Sequence, residues 1–428
     1  MDLLSRAYAA ADGDDGDLNS PPNKRPRVLN SRGISSFQQP EFRIPIHPVE
    51  APISGSYVSK RQRAALAASQ SENIDPAPIS TDSSPAVVGS LRASYVPVEI
   101  STALRLRRRN GSDSIANEAA RLPLSASLRG HSKPVNALQW SRKHNHLLAS
   151  AGMDGTVRIW NVWSDGEKQA RILNCHGAAA VRDVKWSPEG LSVLSCGYDC
   201  ASRLIDVEKG MENLAFEDDQ MIEAVKFCPS NGNVFLSGGS KGRIKLWDVR
   251  TGKAVHEYVR KLGPILDVEF TNDGNRLISS SDVSRSNISE NAIIVWDVSR
   301  EIPLSNQVYT EPYTCTCIRR HPREPYFVAQ SNGNYIAAFG TRPPFRMDKR
   351  RRYSGHGVGG FNVKCDFSID GETLASGSSD GYVHLYDSET TNLVKRIKTR
   401  DECMVDVSFH PSLPNVIASC GWNGAVSV

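Results

Sequence analysis

The chain has 428 residues, with 51 Lys plus Arg against 47 Asp plus Glu. That length exceeds one ordinary core and suits several domains, a repeat array or a closed ring. A net charge of +4 excludes an argument for nucleic-acid binding from bulk electrostatics, and no apolar run approaches the ~18 residues of a membrane-spanning helix.

Residues 1 to about 120 are rich in Pro, Ser, Ala and Asn, contain no Trp or Cys, and sustain neither a period of 2 nor one of 3.6. Such a segment buries too little apolar surface to offset its ordering entropy, so a long, mostly disordered tail is expected. Its start, "MDLLSRAYAAADGDDGD", is acidic and lacks the basic opening of a signal peptide, which predicts an intracellular, soluble protein. Three basic clusters punctuate it: Lys24, Arg25 and Arg27; Lys60, Arg61 and Arg63; and Arg105 with Arg107, Arg108 and Arg109. Short basic runs in a flexible chain suit nuclear import receptors or an acidic surface, and the first two are the import candidates; a plain solvated patch is the alternative.

From residue 121 the pattern changes to short alternating segments. "VNALQW" (135–140), "VRDVKW" (181–186), "IEAVKF" (222–227), "ILDVEF" (265–270), "NVKCDF" (362–367) and "VDVSF" (405–409) alternate apolar with polar residues, and most end on an aromatic. This predicts half-buried strands. Each is followed by a turn and a second run, such as "HLLASAGMDG", and then by a third run closing on Trp160, Ile205, Trp247, Trp296, Phe339 or Tyr386. Successive closing positions lie 45, 42, 49, 43 and 47 residues apart, and a seventh would fall just beyond Val428. Seven copies of a strand-rich unit of about 44 residues match the blades of an all-β, seven-bladed propeller over 121–428.

Three local features stand out along these copies. Asp282 and Trp296 are 14 residues apart where Asp154 and Trp160 are 6 apart, so a serine-rich loop is expected to emerge there. Arg346, Lys349, Arg350, Arg351 and Arg352 are predicted to form an exposed basic strip on the outer strand of the fifth blade, touching RNA phosphates or an acidic protein, or else serving as a solvated edge that deters sheet pairing. The nine cysteines are scattered without a CxxC pair or metal-ligand spacing, so they read as small buried side chains, and no metal or other cofactor is expected.

Copy one, "GHSKPVNALQW…LLASAGMDGTVRIWNV", resembles the WD40 repeat. The resemblance implies a hydrogen-bonded tetrad of His131, Ser150, Asp154 and Trp160, with a second set in His356, Ser376, Asp380 and Tyr386. The recurrence of the His/Asp pair argues against a catalytic role for either. It also implies that the last blade is closed from the other end of the chain, with 124–128 as the outer strand beside the C-terminal "AVSV". Tyr198 and Trp422 each precede the turn on the face where WD40 proteins bind partners and are the candidate contacts.

The order "GHSKPV", "AVRDVKW", "LWDVRTGKAVHEY", "PPFRMDKRRRYSGHGVGGFNVKCDFS" and "CGWNG" is further similar to the group of pre-mRNA-processing factor 17 and its paralogue, WD repeat-containing protein 25. That similarity implies a nuclear, non-catalytic scaffold in pre-mRNA splicing, of second-step type, a monomer within a larger complex of ribonucleoprotein subunits, with direct or indirect RNA contact. "YVSKRQRAAL" (57–66) is nearer to the second member, which leaves an accessory WD-repeat adaptor as an alternative. A different class is a substrate receptor of a cullin-type ubiquitin ligase, because "LWDVR" resembles the W-D-x-R box through Trp247, Asp248 and Arg250. No phosphate loop, metal spacing or nucleophile motif supports an enzyme.

Overall fold

The computed structural model describes residues 89–106, 125–259, 263–282, 293–305, 313–399 and 402–428. The six import candidates Lys24, Arg25, Arg27, Lys60, Arg61 and Arg63 and the serine-rich insertion after Asp282 lie outside the described residues. The compact unit Ser80–Val428 contains every described strand. Those strands form seven four-stranded antiparallel sheets, a seven-bladed β-propeller.

The inner strands are Val135–Trp140, Val181–Trp186, Ile222–Phe227, Ile265–Phe270, Cys315–Arg320, Cys365–Phe367 and Met404–Phe409 for blades 1 to 7. They are not half-buried, as alternation alone predicts, but closed in on both faces: Met404–Phe409 is buried at every position. Each sheet is sandwiched between two neighbours, so the polar face of an inner strand meets the next blade or the central channel. Most outer strands keep an exposed face, and Leu393–Lys398 of blade 6 is exposed throughout, whereas Gln169–Leu173 of blade 1 has no exposed position.

Polar residues on the inner strands stitch the ring. Asp183, Asp267, Asp366 and Asp406 each accept an amide hydrogen from the next blade's inner strand, from Val225 (3.3 Å), Ile318 (2.8 Å), Phe409 (3.0 Å) and Leu138 (2.9 Å). The other carboxylate oxygen takes the following amide of its own strand, at 2.9–3.0 Å. The intervening steps are made by Gln139, which accepts the Trp186 amide, by the Lys226–Glu269 ion pair at 2.6 Å, and by Thr316, which donates to the Val363 carbonyl at 2.9 Å. Burial would raise Asp183, but Lys185 and Lys364 hold it down at about 2. The circuit passes through all seven blades.

The ring closes on blade 7. Ser127–Leu128 pairs antiparallel with Val426–Ser427, in the register Ser127 with Ser427 and Leu128 with Val426. The amides of Ala126 and Val428 donate to each other's carbonyls at 2.9 and 2.8 Å.

One boundary differs from the sequence reading. Part of the segment assigned to a disordered tail up to residue 120 is folded: residues 93–95 form a 3₁₀ turn and Val98–Leu106 an α-helix. Val96, Ile100 and Leu104 pack with Trp140, Trp163, Leu413 and Val416 across the seam between blades 1 and 7. Asn161 donates to the carbonyls of Ser90 and Arg92, and the Asp165 amide to that of Tyr95. A nine-residue helix is marginal alone in water, so its order comes from this docking.

Candidate partner-binding face

In an antiparallel blade the turn between second and third strands and the connection to the next blade emerge at the same end. This sets one face of the ring. Its second-to-third turns need a left-handed residue, which Gly155 (φ 81°) and Gly424 (φ 76°) supply; a Cβ on Gly155 would lie 2.2 Å from the Gly177 carbonyl oxygen.

Beneath the first of these turns the tetrad is complete. Asp154 accepts from His131 Nδ1 at 3.0 Å, His131 Nε2 accepts from Ser150 Oγ at 2.7 Å, and Ser150 Oγ accepts from Trp160 Nε1 at 2.9 Å. Burial lowers the His131 pKa, which keeps the ring neutral with one donor and one acceptor nitrogen. Burial also works to raise Asp154, but hydrogen bonds from His131, Thr156 and the Ser132 amide hold it well below the carboxylate range.

Other blades keep parts of this chain. Blade 2 retains His176 with Asp199 (2.9 Å) and Ser195 (2.7 Å), with Ile205 at the tryptophan's place. Blades 3 and 4 retain the Trp247–Ser237 and Trp296–Ser279 bonds, both 2.9 Å. Blade 6 is wired differently from the set read in the sequence. His356 Nδ1 bonds the Tyr386 hydroxyl at 2.8 Å, and its Nε2 meets the Gln330 amide at 2.7 Å. Ser376 donates to Gln330 Oε1 at 3.2 Å, while Asp380 accepts the Tyr382 amide at 3.2 Å. Gln330, reaching over from blade 5, is inserted between His356 and Ser376, so the imidazole is satisfied without Asp380.

The face itself is shaped by bulges. Six inner strands skip a residue after their first, at Asn136, Arg182, Glu223, Leu266, Thr316 and Val405. A bulge re-aims the unpaired side chain. All six line one hollow of about 160 Å³ at the channel mouth, together with Met153, Phe361, Lys364 and Trp422. Arg182 bridges there to Glu223 at 2.7 Å. Trp422 is 44% exposed and meets Phe361 edge-on at 5.3 Å; Tyr198 is 40% exposed, with Arg182 5.6 Å from its ring. Met221, 42% exposed, adds a further apolar side chain to this face. The bulged residues, Phe361 and Met221 were missed in the sequence; the glycine-rich "GVGGF" beside Phe361 was the available signal.

The basic run lies on Met347–Ser354, the outer strand of blade 5. Ala337 pairs with Arg352 and Ala338 with Asp348, so residues 349 to 351 bulge out of the ladder. Arg346, Lys349, Arg350 and Arg352 are exposed and Arg351 is half-buried. Arg351 lies 4.6 Å over the Tyr326 ring and pairs with Glu324 at 3.2 Å; Arg352 lies 3.6 Å over Tyr335. On the face opposite the channel mouth, Asp248 pairs with the exposed Arg250 at 2.8 Å, and the neighbouring Trp247 is buried. All nine cysteines are free thiols, and among the described residues no His, Cys, Asp and Glu side chains gather as a metal site. No described helix is long and apolar enough to cross a membrane.

The family described as WD domain, G-beta repeat matches residues 123–161, 167–206, 216–248 and 347–387. WD repeat-containing protein 25 of Mus musculus is 39% identical over 303 residues, 70% of this chain and 56% of the relative. Pre-mRNA-processing factor 17 of Homo sapiens is 31% identical over 303 residues, 70% of this chain and 50% of that protein. The factor of the same name in Saccharomyces cerevisiae is 26% identical, with 70% of this chain and 65% of that protein covered. The chain thus spans about half to two-thirds of the length of these relatives.

Proposed function

Because the chain is a WD40-repeat protein, built to present surfaces around a stitched ring, we propose that it is a non-catalytic nuclear scaffold of pre-mRNA splicing, of second-step type. The observation that carries this reading is the 31% identity over 303 residues to proteins named pre-mRNA-processing factor 17. The channel mouth with Trp422, Tyr198 and Phe361 is the partner-binding surface, and the chain acts as one copy within a larger ribonucleoprotein assembly. Residues 121–428 are the scaffold domain, and the two basic clusters Lys24, Arg25 and Arg27 and Lys60, Arg61 and Arg63 direct nuclear import.

Purification of the full chain from nuclear extract, with and without ribonuclease, tests the proposal. Spliceosomal particles are expected in both preparations, since the ring binds protein. Their absence from both would reject the splicing reading. A second reading, a substrate receptor of a cullin-type ligase, is favoured by the display of Arg250, whose side chain is 67% exposed and tied to Asp248. Recovery of a cullin adaptor, lost on Arg250→Ala, would replace the first reading with this one.

A further inference from the structure

Beside the basic strip, on the face opposite the channel mouth, blades 4 and 5 enclose a hollow of about 300 Å³. Arg276, Arg320, Arg323 and Arg342 line it, against a single carboxylate, Asp273. Asp273 is engaged locally by the Thr271 hydroxyl and by the Asn275 amide and side chain. Arg276 donates to the Thr341 carbonyl at 3.3 Å, and Arg320 donates to Asn272 and pairs with Glu269 at 3.8 Å. Arg323 and Arg342 are exposed and form no ion pair among the described residues.

The hollow is continuous with the strip through one ring. Tyr326 lines the hollow, and Arg351 lies over Tyr326 from the bulge at residues 349 to 351. Arg346 and Arg350, on the strip side, are likewise exposed and without an ion pair among the described residues. Unpaired guanidinium groups held near one another repel, so a surface that keeps them unpaired is suited to a polyanion.

We propose that this groove binds the sugar–phosphate backbone of single-stranded RNA. Its cations spread from the hollow onto an outer strand, where residues advance by about 3.3 Å each, so the surface is longer than one phosphoryl group or one carboxylate. Arginine predominates, and its planar fork takes phosphate bidentately while its face stacks on unpaired bases. Arg351 and Arg352 show that the strand already holds guanidinium groups over aromatic rings, at 4.6 and 3.6 Å. A phosphorylated peptide, with its isolated charge, would need only one end of the groove. The inference stands apart from the splicing reading: the groove requires an RNA strand, whatever complex supplies it.

The test is fluorescence anisotropy of a labelled oligouridine titrated with the full chain over a range of salt. The variant R323Q/R342Q/R346Q/R350Q removes four exposed cations that support no fold contact, and an unchanged thermal unfolding curve verifies this. Affinity at low salt is expected to fall at least tenfold, and the slope of log K against log salt to shrink by about 3, near 0.7 per phosphate contact on a single strand. A companion variant with Lys24, Arg25, Arg27, Lys60, Arg61 and Arg63 all changed to Gln must retain that groove-dependent share of the slope. An unchanged slope in the fourfold variant, or complete loss of binding in the tail variant, would overturn the proposal. So would preferential binding of a phosphoserine peptide over oligouridine, which would reassign the groove to a protein. RNA binding by the groove without recovery of spliceosomal particles would reject the splicing reading and keep this one.

Discussion

His410 illustrates how a single buried side chain joins two blades. Its Nε2 donates to the Asn145 carbonyl of blade 1 at 2.8 Å, while Nδ1 accepts the amides of Ser412 (3.1 Å) and Leu413 (2.9 Å). His321 repeats the arrangement between blades 5 and 6, donating to the Gly371 carbonyl at 3.0 Å. Both require a neutral ring, and burial pushes His410 down to about 4. The unfolded chain, titrating near 6.5, therefore takes up a proton that the folded chain refuses. Stability should decline as pH falls from about 6.5 to about 4, by on the order of 3 kcal/mol from this group. At pH 7 His410→Gln is expected to cost about 1–3 kcal/mol through its lost bonds. The gap to wild type should narrow as the pH approaches 4, and denaturant melts at several pH values will measure it. Trp422 is the contrasting case: among the described aromatic residues its exposed ring packs on Phe361 alone. Trp422→Ala should shift stability by no more than about 1 kcal/mol while abolishing partner recovery, and unfolding instead would place the side chain in the core.

At the scale of elements, the inner strands were legible because alternation and a closing aromatic survive in most copies. The bulges were not, because a single skipped residue is hard to tell from alternation within a six-residue strand. The tetrad of blade 1 follows from the resemblance of its copy to the WD40 repeat, whereas that of blade 6 depends on Gln330 from another blade, a contact no local motif encodes. The helix Val98–Leu106 is hard to read in the sequence because five apolar positions among polar neighbours look unremarkable without the seam that Ile100 and Leu104 cover. Replacing Ile100 and Leu104 with serine should undock it. Tryptophan emission would then shift to the red as Trp140 and Trp163 meet water, and protease would cut before residue 125 while far-ultraviolet dichroism of the ring persists. An unshifted spectrum would show that the blade seam excludes water without the helix.

For the whole molecule, stability depends on every neighbour contact in the ring being made at once. Asp406 accepts the buried amides of both Val407 and Leu138, so Asp406→Ala orphans two donors at the junction of blades 7 and 1. A loss of about 2–5 kcal/mol is expected in denaturant unfolding, with the transition remaining single. Replacing Ala126 to Leu128 by Gly-Ser-Gly removes the outer strand of blade 7 and its buried Leu128, and should yield an aggregating species, read by light scattering. A monomer with an unchanged melting curve would show that blade 7 closes without it.

The pairing of Ser127 with Ser427 joins positions 300 residues apart. During synthesis, at about 5–20 residues per second, the earlier strand waits roughly 15–60 s for its partner to be made. For that interval the nascent ring presents an unpaired edge at each end, and the loop-closure entropy of the final pairing falls due only at the last moment. Yield in the cell is therefore set by how long the growing chain is shielded as much as by the stability of the finished ring, and it should respond to the supply of chaperones that bind nascent chains.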